Sequence, residues 1–168
     1  NRDVSTRFMF TIDKFNKNFK DSISKDKLLN NFSDLLFNIA EEYLSSDFYN
    51  TILFSSGIDS RLIASIINKV ATKKSDIRCV SIRFRDKKYD ESKLAKEISE
   101  YLGFKHSSLF MSDNDLFESI NIVKESFGEP LGDPAIVILD YLFKEVSKES
   151  RVAFTGDGGD ELFGGYSN

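Results

Sequence analysis

Residues 51–60, Thr-Ile-Leu-Phe-Ser-Ser-Gly-Ile-Asp-Ser, constrain the fold more than any other stretch of the chain. Ile52, Leu53 and Phe54 form an unbroken apolar run of the kind found in a parallel strand covered on both faces. Small residues follow, then Asp59, then a helical pattern with Leu62, Ile63, Ile66, Ile67 and Val70 on one face. A strand, a tight small-residue turn and a helix N-terminus together predict an anion site. Free backbone N–H groups and the positive end of the helix dipole converge on such a loop. Ser55, Ser56 and Ser60 add hydroxyls. A Walker loop would need Gly-Lys-Ser or Gly-Lys-Thr at its end, and a dinucleotide fingerprint a third Gly; neither pattern is present.

What remains is similar to Ser-Gly-Gly-x-Asp-Ser, the pyrophosphate loop of the ATP pyrophosphatases that adenylate their substrates. An ordinary strand-to-helix turn with a Ser/Asp cap would also give this pattern. A second stretch, Thr-Gly-Asp-Gly-Gly-Asp-Glu-Leu-Phe-Gly-Gly-Tyr at 155–166, follows a short apolar strand at 152–154. Together the two loops resemble the synthetase domain of the asparagine synthetase family, whose signature differs only in a Ser at the position of Thr155. Tyr89-Asp-Glu-Ser92, Leu102-Gly-Phe-Lys-His106 and Glu129-Pro-Leu-Gly-Asp-Pro134 look like the family's intervening segments in the right order. The resemblance spans residues 27–168.

Composition narrows the field further. With 168 residues, 40% of them hydrophobic, the chain is long and apolar enough for one globular domain with its own core. A net charge of −4 without a basic cluster argues against a nucleic-acid partner. No apolar span approaches the roughly 20 residues of a membrane helix, and no signal-peptide layout is present, so a soluble cytoplasmic protein is expected. Cys79 stands alone within an apolar strand and is read as a buried, inert thiol. His106 is also single, which leaves no His pair for zinc. A Ser-His-Asp triad has no Gly-x-Ser-x-Gly elbow to hold it. His106 is expected at a strand start as a structural residue.

In chain order, residues 1–24 read as a linker with at most one short strand around Phe8, Phe10 and Ile12, and residues 25–168 as the synthetase domain. A long amphipathic helix over 27–44 carries Leu28, Leu29, Phe32, Leu35, Leu36, Ile39, Ala40, Tyr43 and Leu44, and is expected to lie on the sheet. A strand at 77–84 leads into the basic turn of Arg83, Arg85, Lys87 and Lys88. That turn is either a solvated loop or a mouth that attracts phosphates. Asp90 is expected to cap the next helix, which stops at Gly103. A strand at 107–111 follows, then a helix capped by Ser112, then one opened by Asp133-Pro134. Alternating strands and helices imply an α/β fold, an open parallel sheet with helices on both faces. The resemblance makes it Rossmann-like, of the adenine nucleotide alpha hydrolase type. Ligands of such sheets bind beyond the carboxyl ends of the strands, where both signature loops emerge.

Several assignments come from the resemblance alone. It implies ATP and Mg2+, with Asp59 and Asp160 holding the metal. It gives Ser55, Ser56, Gly57, Asp59 and Ser60 to the phosphates, and the backbone around Leu53 and Ile82 to adenine. Thr155 and Gly156 go to the ribose or α-phosphate, and Asp157 to the acceptor, with Asp157 and Asp160 as the catalytic pair. The implied activity is an amide-forming ligase that activates a carboxylate as an acyl-adenylate, asparagine from aspartate being the default. β-Lactam synthetases and peptide cyclases share these motifs, so the acceptor stays open. The implied partners are a small carboxylic acid and an ammonia donor, a glutaminase domain in cis or trans; a homodimer is left open. Departures from the family are Ser56 for a Gly, Arg61 for a Ser, Arg83 where Gly is common, and Ala135 for a Ser. Ser56 is expected to alter the phosphate cradle, since a positive φ there would be costly. The family's domain continues past Tyr166 to a lysine serving acyl transfer, and begins with a glutaminase domain led by a Cys. The chain therefore looks like an excised piece or a truncated homologue, expected to bind Mg-ATP and turn over poorly. Two other readings are a non-catalytic nucleotide-binding domain and a phosphatase of the haloacid-dehalogenase type. The phosphatase would need an Asp-x-Asp pair, where only Asp13 stands.

Overall fold

A computed structural model of the chain describes residues 24–44, 48–88, 90–128 and 132–166. The strand expected near Phe10, Asp13, Tyr89 and residues 129–131 lie outside them. Contacts group the chain into two compact units, Asn1–Leu35 and Leu36–Asn168. The boundary falls within the first described helix, α1 (Lys25–Tyr43).

The second unit is an open sheet built from β1 (Tyr49–Leu53), β2 (Ile77–Arg83), β3 (Lys105–Phe110) and β4 (Ser150–Phe154). Every neighbouring pair is parallel, in the order β3-β2-β1-β4. The helices between them are α2 (Ile58–Val70), α3 (Ser92–Tyr101), α4 (Asp113–Phe127) and α5 (Ala135–Val146). A last short turn of helix, α6 (Gly159–Phe163), follows β4.

The strands alternate between two apolar layers, as parallel strands covered on both sides must. Ile52, Phe54, Ile77 and Cys79 pack with Ala64, Ile67, Ala95 and Phe104, from α2, α3 and the approach to β3. Leu53 and Val80 pack on the opposite face with Leu142 and Val146 of α5. Burying an Ile or Val of this kind contributes about 1.5–3 kcal/mol. A polar seam interrupts the apolar sheet between β1 and β4. There Thr51 Oγ1 and Ser150 Oγ, both buried, share a hydrogen bond of 2.6 Å.

Cys79 is fully buried, and burial pushes its thiol up to about 11 despite a hydrogen bond with Ser99. Ser112 caps α4 with a complete capping box. Its hydroxyl accepts the Asp115 amide at 3.2 Å, and the Asp115 carboxylate accepts the Ser112 amide at 2.9 Å. Asp90 sits one residue outside its expected place. Glu91 is the N-cap of α3, and the Asp90 carboxylate accepts the Ser92 amide at 3.0 Å. Asp133 likewise reaches past Pro134 to the Ala135 amide at 2.9 Å.

Ser81, on β2, is buried. One expectation needs correction. Core packing was expected to account fully for the apolar face of α1. Within the second unit Ala40 is buried, but Ile39 and Tyr43 are exposed.

Candidate nucleotide site

The strand order places a topological switch between β1 and β4. From β1 the chain moves outward to β2 and β3, then returns to pair β4 on the other side of β1. The loops leaving β1 and β4 therefore diverge from neighbouring strands and open a crevice at the sheet's carboxyl edge. Those loops are residues 54–57 and 155–158.

They meet closely. A Cβ placed on Gly156 would stand 2.8 Å from Asp59 Cβ and 3.0 Å from the Ser60 amide nitrogen. One placed on Gly159 would stand 2.8 Å from Asp59 Cγ. At Gly156, where backbone stands in the way of a methyl, only glycine admits this approach, and it seats the second signature directly on the N-terminus of α2. Asp160, the next residue, is held in a tight turn whose carbonyl accepts the Gly164 and Gly165 amides at 2.9 and 3.0 Å.

Both loops line one cleft of about 1280 Å³. Leu53, Ser55, Gly57, Asp59, Ser60, Ile82, Thr155, Gly156, Asp157 and Asp160 all face it. Ser56 does not share that lining. Its amide and its hydroxyl both donate to Glu91 Oε2, at 3.1 and 2.5 Å. No described residue other than glycine has a positive φ, so Ser56 sits in the loop without the expected backbone cost.

The other loop hydroxyls bind one another and the loop backbone. Ser60 Oγ lies 2.8 Å from the Ser55 carbonyl oxygen, and Ser55 Oγ accepts the Gly57 amide at 3.2 Å. These bonds brace the turn and leave the first amides of α2, which have no partner within the helix, as the donors it offers. Arg61 donates from Nε to the Gly57 carbonyl at 3.3 Å.

The cleft is acidic. Eight carboxylates line it, with Arg85 as the single Lys or Arg side chain among its described lining residues. Of the two readings of the basic turn, the phosphate-attracting mouth is left with Arg85, itself 3.7 Å from Asp113. Arg83 stacks over the Phe110 ring instead. At the rim the Tyr166 hydroxyl donates to Glu161 at 2.6 Å. That bond, with the carboxylate's charge, pushes Tyr166 up to about 12 and holds Glu161 below the usual carboxylate range.

A divalent cation suits this donor set. Asp59 and Asp160 face the same cleft, and no group of three acidic, His or Cys side chains stands together among the described residues. Carboxylate oxygens without a His or Cys beside them fit magnesium, which keeps its waters and takes phosphate oxygens, better than zinc. His106 stays apart from the loops. Its Nε2 lies 3.0 Å from Ser81 Oγ, and burial and the Lys96 charge hold the imidazole below its ordinary range. Ser81 lies on a strand rather than an exposed elbow, which supports the structural reading.

Residues 31–168 match the family described as asparagine synthase. The chain belongs to the asparagine synthase family. Among its curated relatives is asparagine synthetase (glutamine-hydrolyzing) 1 of Bacillus subtilis, 31% identical over 154 residues. That alignment covers 91% of this chain and 24% of the relative. Putative asparagine synthetase (glutamine-hydrolyzing) 2 of Methanocaldococcus jannaschii is 30% identical over 88% of this chain and 28% of its own length. The chain thus spans about a quarter of the curated relatives it matches. Among solved structures, a glutamine-dependent NAD+ synthetase from Acinetobacter baumannii, in complex with ADP, superposes with a TM-score of 0.60 at 17% identity. It covers 88% of this chain and 29% of that one. An NMN synthetase from Francisella tularensis gives 0.55 at 17% identity, covering 83% and 58%. At such identities the likeness speaks for the fold, and it bears out the open parallel sheet read from the sequence.

Glu91 is the site residue that sequence reasoning missed. It lay inside the quoted segment Tyr89-Asp-Glu-Ser92, but its reach to Ser56, 35 positions earlier, is set by the pairing of β1 with β2.

Proposed function

We propose that residues 25–168 form the ATP-binding synthetase domain of an asparagine-synthetase-type ligase. It activates a carboxylate as an acyl-adenylate with release of pyrophosphate, and ammonia then converts the adenylate to an amide. The observation that carries this reading is the convergence of the β1 and β4 loops, Gly156 and Gly159 against Asp59, at the one switch point of the sheet.

In this reading each part of the site takes the role that the resemblance gives it. The first amides of α2, with Ser55, Gly57 and Ser60 around them, hold the β- and γ-phosphates. No lysine stands in that loop, so the α-phosphorus stays open to an attacking carboxylate. Leu53 and Ile82, flanking the apolar floor, receive adenine, and Thr155 and Gly156 the ribose or α-phosphate. Asp59 and Asp160 hold Mg2+, which when bound neutralises charge on the pyrophosphate leaving group. Asp157, exposed at the rim, faces the acceptor. Relatives named as glutamine-hydrolysing support a glutaminase domain as the ammonia source, in cis or trans. The default product is asparagine, made in the cytoplasm.

ATP–pyrophosphate exchange by the full-length protein, run against a panel of carboxylic acids, tests this. Acid-dependent exchange is expected; nucleotide binding without exchange for any acid would overturn it in favour of a non-catalytic nucleotide-binding domain. The Ser56–Glu91 pair, which ties up two donors of the phosphate loop, is the observation that favours that second reading.

A further inference from the structure

Glu91 stands at the N-cap of α3, exposed and on the wall of the cleft. Its Oε2 accepts both the amide and the hydroxyl of Ser56. The amide belongs to the turn between β1 and α2, just before the amides that the helix offers an anion, and with Glu91 bonded to it Ser56 is absent from the cleft wall that Glu91 itself lines. Two full anions cannot share one N–H donor. A carboxylate beside a polyphosphate is also repelled, with little desolvation to offset it on an exposed residue. The hydroxyl of Ser56, where the family usually carries glycine, gives the carboxylate a second hold that glycine could not.

We infer that Glu91 is an internal competitor for the phosphate loop. Its carboxylate holds the Ser56 donors against nucleotide phosphate and must swing away for the β- and γ-phosphates to seat fully. The same carboxylate favours release of pyrophosphate by taking the donors back. The inference rests on the nucleotide-site reading above and assigns Glu91 a role in setting that site's affinity.

Calorimetric titration of the full-length protein with Mg-ATP, Mg-pyrophosphate and adenosine tests it. Glu91→Gln keeps the shape and removes the charge, weakening a charge-assisted bond to a neutral one. It should tighten ATP and pyrophosphate by about three- to tenfold, the worth of roughly one exposed hydrogen bond, and leave adenosine unchanged. In a Ser56→Ala background, which removes one of the two holds, the gain from Glu91→Gln should shrink. Asp86→Asn neutralises another carboxylate of the same cleft that bonds the Lys88 amide instead, so it reports the general field and should give a smaller gain. Unchanged or weaker pyrophosphate binding in Glu91→Gln overturns the inference, as does an equal gain from Asp86→Asn or an equal effect on adenosine. A wild-type protein that binds neither ATP nor pyrophosphate overturns the nucleotide-site reading itself, so the two failures are distinct.

Discussion

At the scale of single residues, the two close-approach glycines separate the stability of the site from its chemistry. A methyl on Gly156 meets backbone, the Asp59 carbonyl carbon at 3.1 Å and the Ser60 amide at 3.0 Å. Gly156→Ala must therefore push the two loops apart, costing about 1–3 kcal/mol in urea unfolding. The atoms nearest a methyl on Gly159 all belong to the Asp59 carboxylate, which can rotate. Gly159→Ala should keep stability within about 1 kcal/mol, since alanine suits a helix, yet weaken Mg-ATP binding by displacing Asp59. Equal stability losses in the two variants would contradict this division. Asp59→Asn and Asp160→Asn should each lower pyrophosphate exchange on the order of 100-fold, a loss of about 3 kcal/mol of charge stabilisation. Cys79 gives a pH signature. Its thiol is raised from 9.0 to about 11 in the fold, so the folded state holds the proton more tightly than the unfolded chain. The resulting stability is present below pH 9 and is lost as pH rises to 11, by up to about 3 kcal/mol. The stability difference between wild type and Cys79→Ala should fall across that window.

Among elements, the β1–β4 seam decides whether the two loops share an edge. Thr51 and Ser150 satisfy each other inside it at 2.6 Å. Thr51→Val strands the Ser150 hydroxyl and should cost about 1–3 kcal/mol, while adding Ser150→Ala should recover part of the loss. A double variant no more stable than the single would show the pair is not what matters there. This seam also marks what the sequence could and could not display. The apolar runs at Ile52–Phe54 and around Val80 and the Ser112 cap are local signals, and each lies where its chemistry predicted. The order of the strands is not local. That β4 pairs with β1 was not legible in the sequence, which placed the two signature loops only at the same sheet edge. Glu91 escaped notice because its partner lies across the cleft, and a surface glutamate beside a helix start has an ordinary explanation as a favourable dipole contact.

For the whole molecule, charge is the quantity that links fold to binding. The chain carries a net charge of −4, and its cleft gathers eight carboxylates with Arg85 as the one Lys or Arg side chain among the described lining residues. A cavity lined by one sign of charge focuses its field inward. Such a cleft repels a free polyphosphate, so the amides of α2 alone cannot hold ATP firmly. On the reading proposed above, a divalent cation held by Asp59 and Asp160 would reverse the sign of the largest local interaction. Nucleotide affinity should therefore depend on Mg2+ far more than on the number of loop donors. With EDTA in place of Mg2+, ATP affinity should fall by at least about tenfold, and raising ionic strength should partly restore it by screening the carboxylates. Adenosine, which carries no phosphate, should bind equally in both conditions. ATP binding that is indifferent to Mg2+, or that weakens further with salt in EDTA, would mean that the acidic wall does not govern the site.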